Sequence, residues 1–151
     1  MGMMRGYFGI GIYCPKTSMN MGTLWRSASN LGASFIFVIG ARYKRQASDT
    51  EHSAKHVPFY VFDDWDSFLK FRPIDCQLIG IEKTERSLSI RSYHHRERSI
   101  YLLGAEDNGL PEKVLEKCYQ VIHIDTPRCL NVATAGSIVM FDRAQKEPAN
   151  E

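Results

Sequence analysis

The chain has 151 residues, of which 44% are hydrophobic and 24% charged, a balance that is ordinary for a soluble globular protein. Its net charge of +2 permits a nucleic-acid partner without requiring one, and no apolar run approaches the roughly 20 residues of a membrane-spanning helix. No signal peptide is recognisable, and the four scattered cysteines indicate reduced thiols in a cytoplasmic protein. We expect a single domain over residues 1–151, with a frayed tail at 146–151.

Apolar runs alternate with helical patterns along the whole chain. The predicted strands cover residues 7–13, 35–39, 57–62, 77–81, 99–103 and 120–125. The predicted helices cover residues 20–32, 63–71, 112–117 and 130–142. Asn20 is a suitable N-cap for the first helix, Gly32 would end it, and Pro111 suits the first position of the third helix. This alternation predicts an α/β fold with a mainly parallel sheet flanked by helices.

Three polar clusters follow strand ends or open helices, where α/β proteins usually bind ligands. The first is Asn20-x-Gly22-x-x-x-Arg26, at the start of the first predicted helix. The second is the turn from Gly104 to Pro111, which follows an apolar strand. The third is the segment from Arg128 to Asn131 before the last helix. The chain has no dinucleotide-binding fingerprint, phosphate-binding loop or nucleophile elbow, so the usual nucleotide-binding and hydrolase motifs are excluded.

The combination and order of the three clusters are more specific than any one of them. Asn20-x-Gly22-x-x-x-Arg26, then Gly104-x-Glu106-x-x-Gly109-Leu110-Pro111, then Leu130-Asn131-Val132, resembles the SpoU/TrmH family of the SPOUT superfamily. Members of that family are RNA ribose 2′-O-methyltransferases that use S-adenosylmethionine. The resemblance extends over residues 7–142.

The resemblance implies an α/β fold with a deep trefoil knot near the C-terminus, a rare topology that sequence periodicity does not reveal. It also implies that the cofactor lies in the knotted loops, held largely by backbone groups. The cofactor-binding residues by match to the family are Ile81, Glu82, Gly104, Ile124, Cys129 and Leu130. It further implies a homodimer in which Arg26 acts across the subunit interface.

The candidate catalytic residues are Arg26, Asn20, Glu106 and Asn131. A ribose 2′-hydroxyl is a poor nucleophile, so it needs either loss of its proton or stabilisation of its oxyanion. A guanidinium keeps its positive charge, so Arg26 suits electrostatic activation of the 2′-oxygen or steering of a phosphate better than proton removal. Asn20 would orient Arg26 or bind RNA, Glu106 would fix its loop or orient Arg26, and Asn131 would support the substrate site. Glu106 could equally cap a turn, and Asn131 could serve only as a helix N-cap.

One departure from the family pattern concerns the third motif. The common Ser-Leu-Asn is replaced here by Cys129-Leu130-Asn131, and a thiol is a weaker hydrogen-bonding group than a hydroxyl. This departure leaves open a non-catalytic RNA-binding relative that has lost the cofactor. A separate alternative is an RNA base methyltransferase.

The remaining charged residues give weaker indications. Arg42, Lys44, Arg45 and Arg128 are candidate contacts to RNA phosphates, either tRNA or rRNA. His52 and His56 have the spacing of metal ligands on a helix but lack further ligands nearby, so no metal site is predicted. The pair His94-His95 lies in a charged segment, and we expect both rings to be solvated.

Overall fold

The computed structural model describes residues 6–40, 57–105 and 109–146. The strands are β1 (Tyr7–Tyr13), β2 (Phe35–Ile39), β3 (Phe59–Phe62), β4 (Gln77–Ile81), β5 (Leu88–Ser89), β6 (Arg98–Gly104) and β7 (Gln120–His123). The helices are α1 (Ser18–Leu31), α2 (Trp65–Phe71), α3 (Glu112–Leu115) and α4 (Val132–Gln145), with a 3₁₀ turn at Ile90–Ser92. No helix in the described ranges is long and apolar enough to cross a membrane.

The strands form one sheet in the order β3-β2-β1-β6-β4-β7-β5. Every pair of neighbouring strands is parallel. The prediction of a mainly parallel α/β sheet is therefore confirmed. Since all strands point the same way, their carboxyl ends meet at one edge, and the loops after β4, β6 and β7 lie side by side there.

Helices cover both faces of the sheet and create two hydrophobic cores. On one face, α1 and α4 pack against the alternate β-strand residues that include Ile10, Tyr101 and Leu103. On the other face, α2 and α3 pack against Phe37, Leu102 and their neighbours. Strand β2 is apolar on both sides because all five of its residues, Phe35–Ile39, are buried.

Gly9 and Gly11 of β1 are needed where two aromatic rings cross the strand. A Cβ at Gly9 would lie 2.3 Å from the Phe35 ring, and one at Gly11 would lie 2.5 Å from the Phe37 ring. The rings stack above the glycines on the α2 side of the sheet. The close backbone approach that glycines in a strand indicate is thus an internal packing contact.

The start of α1 differs from the prediction. The helix begins at Ser18 after Thr17, two residues before the expected start, so Asn20 is not its N-cap. Gly32 ends the helix in the left-handed conformation, with φ of 87°, as predicted. Pro111 precedes α3 as the N-cap residue rather than occupying its first position. These shifts are of the size expected at frayed helix ends, but the displaced Asn20 has a tertiary role.

Candidate active site

The loops at the carboxyl ends of β4, β6 and β7 enclose a cavity of about 520 Å³ with the start of α4. Its volume lies within the range of small-molecule sites. All six residues predicted to bind the cofactor line this cavity: Ile81, Glu82, Gly104, Ile124, Cys129 and Leu130. They come from the loops after β4, β6 and β7, which the parallel sheet brings together.

Gly104 lies where the chain turns back on itself at the end of β6. A Cβ at this position would lie 2.6 Å from the carbonyl carbon of Gly109 and 2.8 Å from the Leu110 nitrogen. The glycine is therefore required by the turn that follows it, as well as lining the cavity. The turn closes through a hydrogen bond of 3.0 Å from the Gly109 N–H to the Ala105 carbonyl.

Asn131 joins the first and third motifs. Its side-chain oxygen accepts a hydrogen bond of 3.1 Å from the Thr134 N–H, so it caps α4 as predicted. Its amide nitrogen donates to the side-chain oxygen of Asn20 over 3.0 Å. Because Leu130 and Val132 line the cavity on either side of Asn131, the asparagine pair lies at the cavity's edge.

Arg26 lies away from the cavity of its own chain. It is exposed on α1, about 9 Å along the helix axis from Asn20, given a rise of about 1.5 Å per residue. Helix α1 runs beside α4, since Ser137 Oγ donates to Ser27 Oγ over 2.8 Å. Position 26 is therefore level with the second turn of α4, and Arg26 does not appear among the cavity residues.

Several predicted residues lie outside the described parts of the chain. These are the catalytic candidate Glu106, the RNA-contact candidates Arg42, Lys44 and Arg45, and the excluded metal pair His52 and His56. Arg128 is described, and it lies exposed on the cavity lining. Among the described residues, no group of three or more His, Cys, Asp or Glu side chains could hold a metal ion.

Sequence patterns did not predict one group of polar side chains at the cavity. His123 ends β7 and lines the cavity, and its Nδ1 lies 2.8 Å from Ser87 Oγ. Its Nε2 lies 3.1 Å from Asp125 Oδ1. A hydrogen bond from Ser89, with the nearby His123 and Arg91, lowers the pKa of Asp125 below its usual range. Ser87 and His123 are 36 residues apart, so no local motif signals this group.

His95 is fully buried, which contradicts the prediction that it is solvated. Its ring lies 2.7 Å from both Tyr101 Oη and Asp142 Oδ2, and Arg143 donates to the same Tyr101 oxygen over 3.1 Å. Burial lowers the pKa of His95 to about 4, against the opposing effect of Asp142. The neutral ring therefore accepts from Tyr101 and donates to Asp142. The prediction was wrong because α4, 47 residues away, covers the segment.

Comparisons with known proteins decide the family. The sequence model described as the SpoU rRNA Methylase family matches residues 8–141. The chain belongs to this family. A curated relative, a tRNA (cytidine(34)-2′-O)-methyltransferase of Ancylobacter novellus, is 28% identical over 144 residues, which cover 87% of each chain.

Solved structures of SpoU-type proteins share the fold. One, solved for insights into the 2-OH methylation of C/U34 on tRNA, has a TM-score of 0.78 at 23% identity and covers 91% of this chain and 94% of its own. The AdoMet-bound rRNA methyltransferase of Sinorhizobium meliloti has a TM-score of 0.80 at 20% identity. This chain is matched over 95% of its length but covers only 57% of that protein. The SpoU match spans β1 to α4 and so includes all three motifs.

Proposed function

We propose that this SpoU protein transfers the methyl group of S-adenosylmethionine to a ribose 2′-hydroxyl of RNA. The observation that carries the proposal is the cavity at the carboxyl ends of β4, β6 and β7. Its lining contains all six residues that the family motifs assign to the cofactor. The sulfonium-bearing cofactor supplies an electrophilic methyl group, so that transfer forms an O–CH₃ bond, breaks the S–CH₃ bond and releases a proton with S-adenosylhomocysteine.

The cavity fits the chemistry of this cofactor. Apolar side chains, among them Ile81, Leu103 and Ile124, form walls suited to an adenine ring. The loop backbones at Gly104 and Gly109, together with Thr84, offer polar groups for the ribose and the amino-acid end. Cys129 is exposed on the same lining, where relatives commonly carry serine. A thiol of nearly the same size preserves the shape of the cavity.

The activating group in the proposal is Arg26. Its positive charge would stabilise the oxyanion that develops as the 2′-hydroxyl loses its proton. Asn20 and Asn131, which are hydrogen-bonded to each other, would position the substrate at the edge of the cavity. Glu106 would orient Arg26 or fix its own loop.

We propose that Arg26 performs this role in the cavity of a second copy of the chain. It lies on an exposed stripe of α1 that recurs at helical spacing: Met19, Thr23, Arg26 and Asn30. A matching stripe on α4 leaves Ile138 at 36% and Phe141 at 57% exposed. Apolar side chains on the outer faces of two adjacent helices support a homodimer, since burial of such surface stabilises association.

We propose tRNA as the substrate, with nucleotide 34 as the methylated position. Chain length supports this substrate as well as sequence similarity, because the match covers 87% of the relative named for cytidine 34. The rRNA methyltransferase of Sinorhizobium meliloti, in contrast, is matched over 57% of its chain. Exposed Arg128 on the cavity lining could contact a tRNA phosphate.

Calorimetric titration with S-adenosylmethionine tests the proposal at its first step. We expect saturable binding by the wild-type protein and at least about tenfold weaker binding by Cys129→Trp, since the indole would fill the cavity. Ile74→Trp is the matched control, because Ile74 is 98% exposed and lies outside the cavity lining. Absence of binding to the wild-type protein at millimolar cofactor would overturn the enzyme reading and favour the non-catalytic alternative.

A further inference from the structure

Glu82 lies at the junction of two strand ends. Strands β4 and β6 are neighbours, with Ile81 paired to Leu103, so Glu82 follows its strand level with Gly104. Its carboxylate oxygen Oε2 accepts a hydrogen bond of 2.9 Å from the Leu110 N–H, 28 residues further along the chain. The side chain therefore connects the loop after β4 to the turn after β6.

The carboxylate also fills the space beside Gly109. Gly109 has φ of 60°, and a Cβ there would lie 2.3 Å from Glu82 Oε2. On its other side the turn is closed by the Gly109 N–H bond to Ala105. Two hydrogen bonds, one from the Gly109 N–H to Ala105 and one from the Leu110 N–H to Glu82, thus fix the Gly109–Leu110 backbone.

We propose that Glu82 is the positioning residue of the cavity: its carboxylate holds the Gly109–Leu110 backbone in place and so sets one wall of the cofactor site. The inference rests on the proposed function, because the ligand is S-adenosylmethionine. It assigns the side chain to the protein's own backbone, whereas the sequence motif assigns Glu82 to the cofactor.

The competing role for Glu82 is a direct charge contact with the cofactor. S-adenosylmethionine carries a positive sulfonium that S-adenosylhomocysteine lacks, whereas both share the adenosine and amino-acid parts. A carboxylate that contacts the sulfonium would favour the methylated ligand selectively. A carboxylate that positions the wall would contribute equally to the binding of both ligands.

The test compares Glu82→Ala and Glu82→Gln by calorimetry with both ligands. Loss of the hydrogen bond in Glu82→Ala should weaken both ligands alike, by about tenfold. Glu82→Gln keeps an oxygen acceptor for the Leu110 N–H, so we expect affinities within about twofold of wild type. Glu116→Gln is the matched control, since Glu116 is exposed and outside the cavity lining.

Two results would overturn the positioning role. One is wild-type affinity in Glu82→Ala. The other is a loss in Glu82→Gln as large as in Glu82→Ala and confined to S-adenosylmethionine, which would assign the carboxylate to the sulfonium. A thermal melt of each variant shows whether it is folded, and a merely structural role would lower the melting temperature without changing the affinity of the folded protein.

Hydrogen exchange of the Leu110 amide tests the hydrogen bond between Leu110 and Glu82 without any ligand. In the ligand-free protein we expect a protected amide in the wild type and Glu82→Gln, and exchange at least about tenfold faster in Glu82→Ala. Equal protection in all three proteins would contradict the proposal. Failure of the wild type to bind S-adenosylmethionine, with the amide pattern as expected, would overturn the methyltransferase function and leave the hydrogen-bond support intact.

Discussion

At the scale of single residues, the proposed chemistry is divided between the cavity lining and an arginine that is not part of it. The cavity residues converge at the carboxyl ends of the strands, whereas Arg26 is exposed on α1 and is absent from the cavity lining. An arginine that activates a hydroxyl must touch the substrate, and because Arg26 does not line the cavity of its own chain, we propose that it acts at the cavity of a second copy.

Removal of Arg26 should separate catalysis from cofactor binding. We expect Arg26→Ala to lower kcat by about 10²- to 10³-fold, the usual cost of losing an oxyanion-stabilising group. Affinity for S-adenosylmethionine should remain within about twofold, because Arg26 does not line the cavity. Rate measurements and calorimetry check the two parts. Arg98→Ala is the control, since Arg98 starts β6 at the opposite end of the strand from the cavity.

A heterodimer distinguishes action across the interface from action within one chain. Arg26→Ala and Cys129→Trp subunits, co-expressed with different tags, would combine one intact cavity with one intact Arg26. If the arginine serves the partner's cavity, the isolated heterodimer should recover about half of the wild-type rate, because one of two symmetric sites is complete. An inactive heterodimer would contradict action across the interface.

At the scale of elements, local pattern predicted most of the strands and helices. Residues 35–39 were delimited correctly because a run apolar on both faces lies between Gly32 and Gly40, both with positive φ. The α4 N-cap was also predictable from Asn131 before a run of small residues. The start of α1 was not predictable in this way, because the Asn20 side chain accepts a hydrogen bond from Asn131, 111 residues away, instead of capping its own helix. Such long-range contacts leave no local signal.

The N-cap of α4 can be tested on the element itself. Asn131→Ala removes the acceptor for the Thr134 N–H, so we expect the free energy of unfolding to fall by about 1 kcal/mol. Asn131→Asp loses the donor to Asn20, as Asn131→Ala does, but keeps the Thr134 acceptor and places a negative charge at the helix N-terminus, so its loss of stability should be smaller than that of Asn131→Ala. Urea unfolding measures both. Gln145→Ala, at the exposed end of α4, is the control. If Asn131→Ala is as stable as the wild type, Asn131 does not stabilise α4 as its N-cap.

At the scale of the whole molecule, the order of strands decides what meets at the cavity. The central position of β6 between β1 and β4 places the Gly104 turn beside the loop after β4. Sequence patterns identified six of the seven described strands, all but β5, and not their order, because pairing joins segments far apart in the chain. The resemblance to the SpoU/TrmH family indicated which loops line the cavity, and the periodicity of apolar residues could not do so. The trefoil knot that the resemblance implies stays a prediction. Sequence patterns also did not predict that the charge-rich segment 82–98 contributes buried Ile90, Tyr93 and His95.

The buried His95 makes global stability depend on pH. Its pKa is about 4 in the folded protein, below the ordinary 6.5 that the unfolded chain has, because burial and the cations Arg143 and Lys146 outweigh Asp142. The unfolded state therefore binds more protons between these values, and stability falls as pH falls from about 6.5 towards 4. From pH 7.5 to pH 5 we expect a loss of about 2 kcal/mol from this ring.

Replacement of the ring isolates this contribution. In His95→Gln, the decrease in the free energy of unfolding between pH 7.5 and pH 5 should be smaller than in the wild type by about 2 kcal/mol, because the glutamine side chain does not titrate. Urea unfolding of both proteins at pH 7.5 and pH 5 gives the comparison. The neighbouring Tyr93 and Tyr101 have pKa values raised by burial, so they stay protonated throughout this range. An unchanged pH dependence in the variant would assign the acid loss to other groups.

In the proposed function, the atom that receives the methyl group is a ribose 2′-oxygen of RNA. Transfer RNA and ribosomal RNA from cells that lack the gene can be incubated with the purified protein and methyl-labelled S-adenosylmethionine, then digested to nucleosides and analysed by mass spectrometry. We expect label in a 2′-O-methyl nucleoside of tRNA, with none formed by Arg26→Ala. Label on a base, or no transfer by a wild-type protein that binds the cofactor, would contradict it.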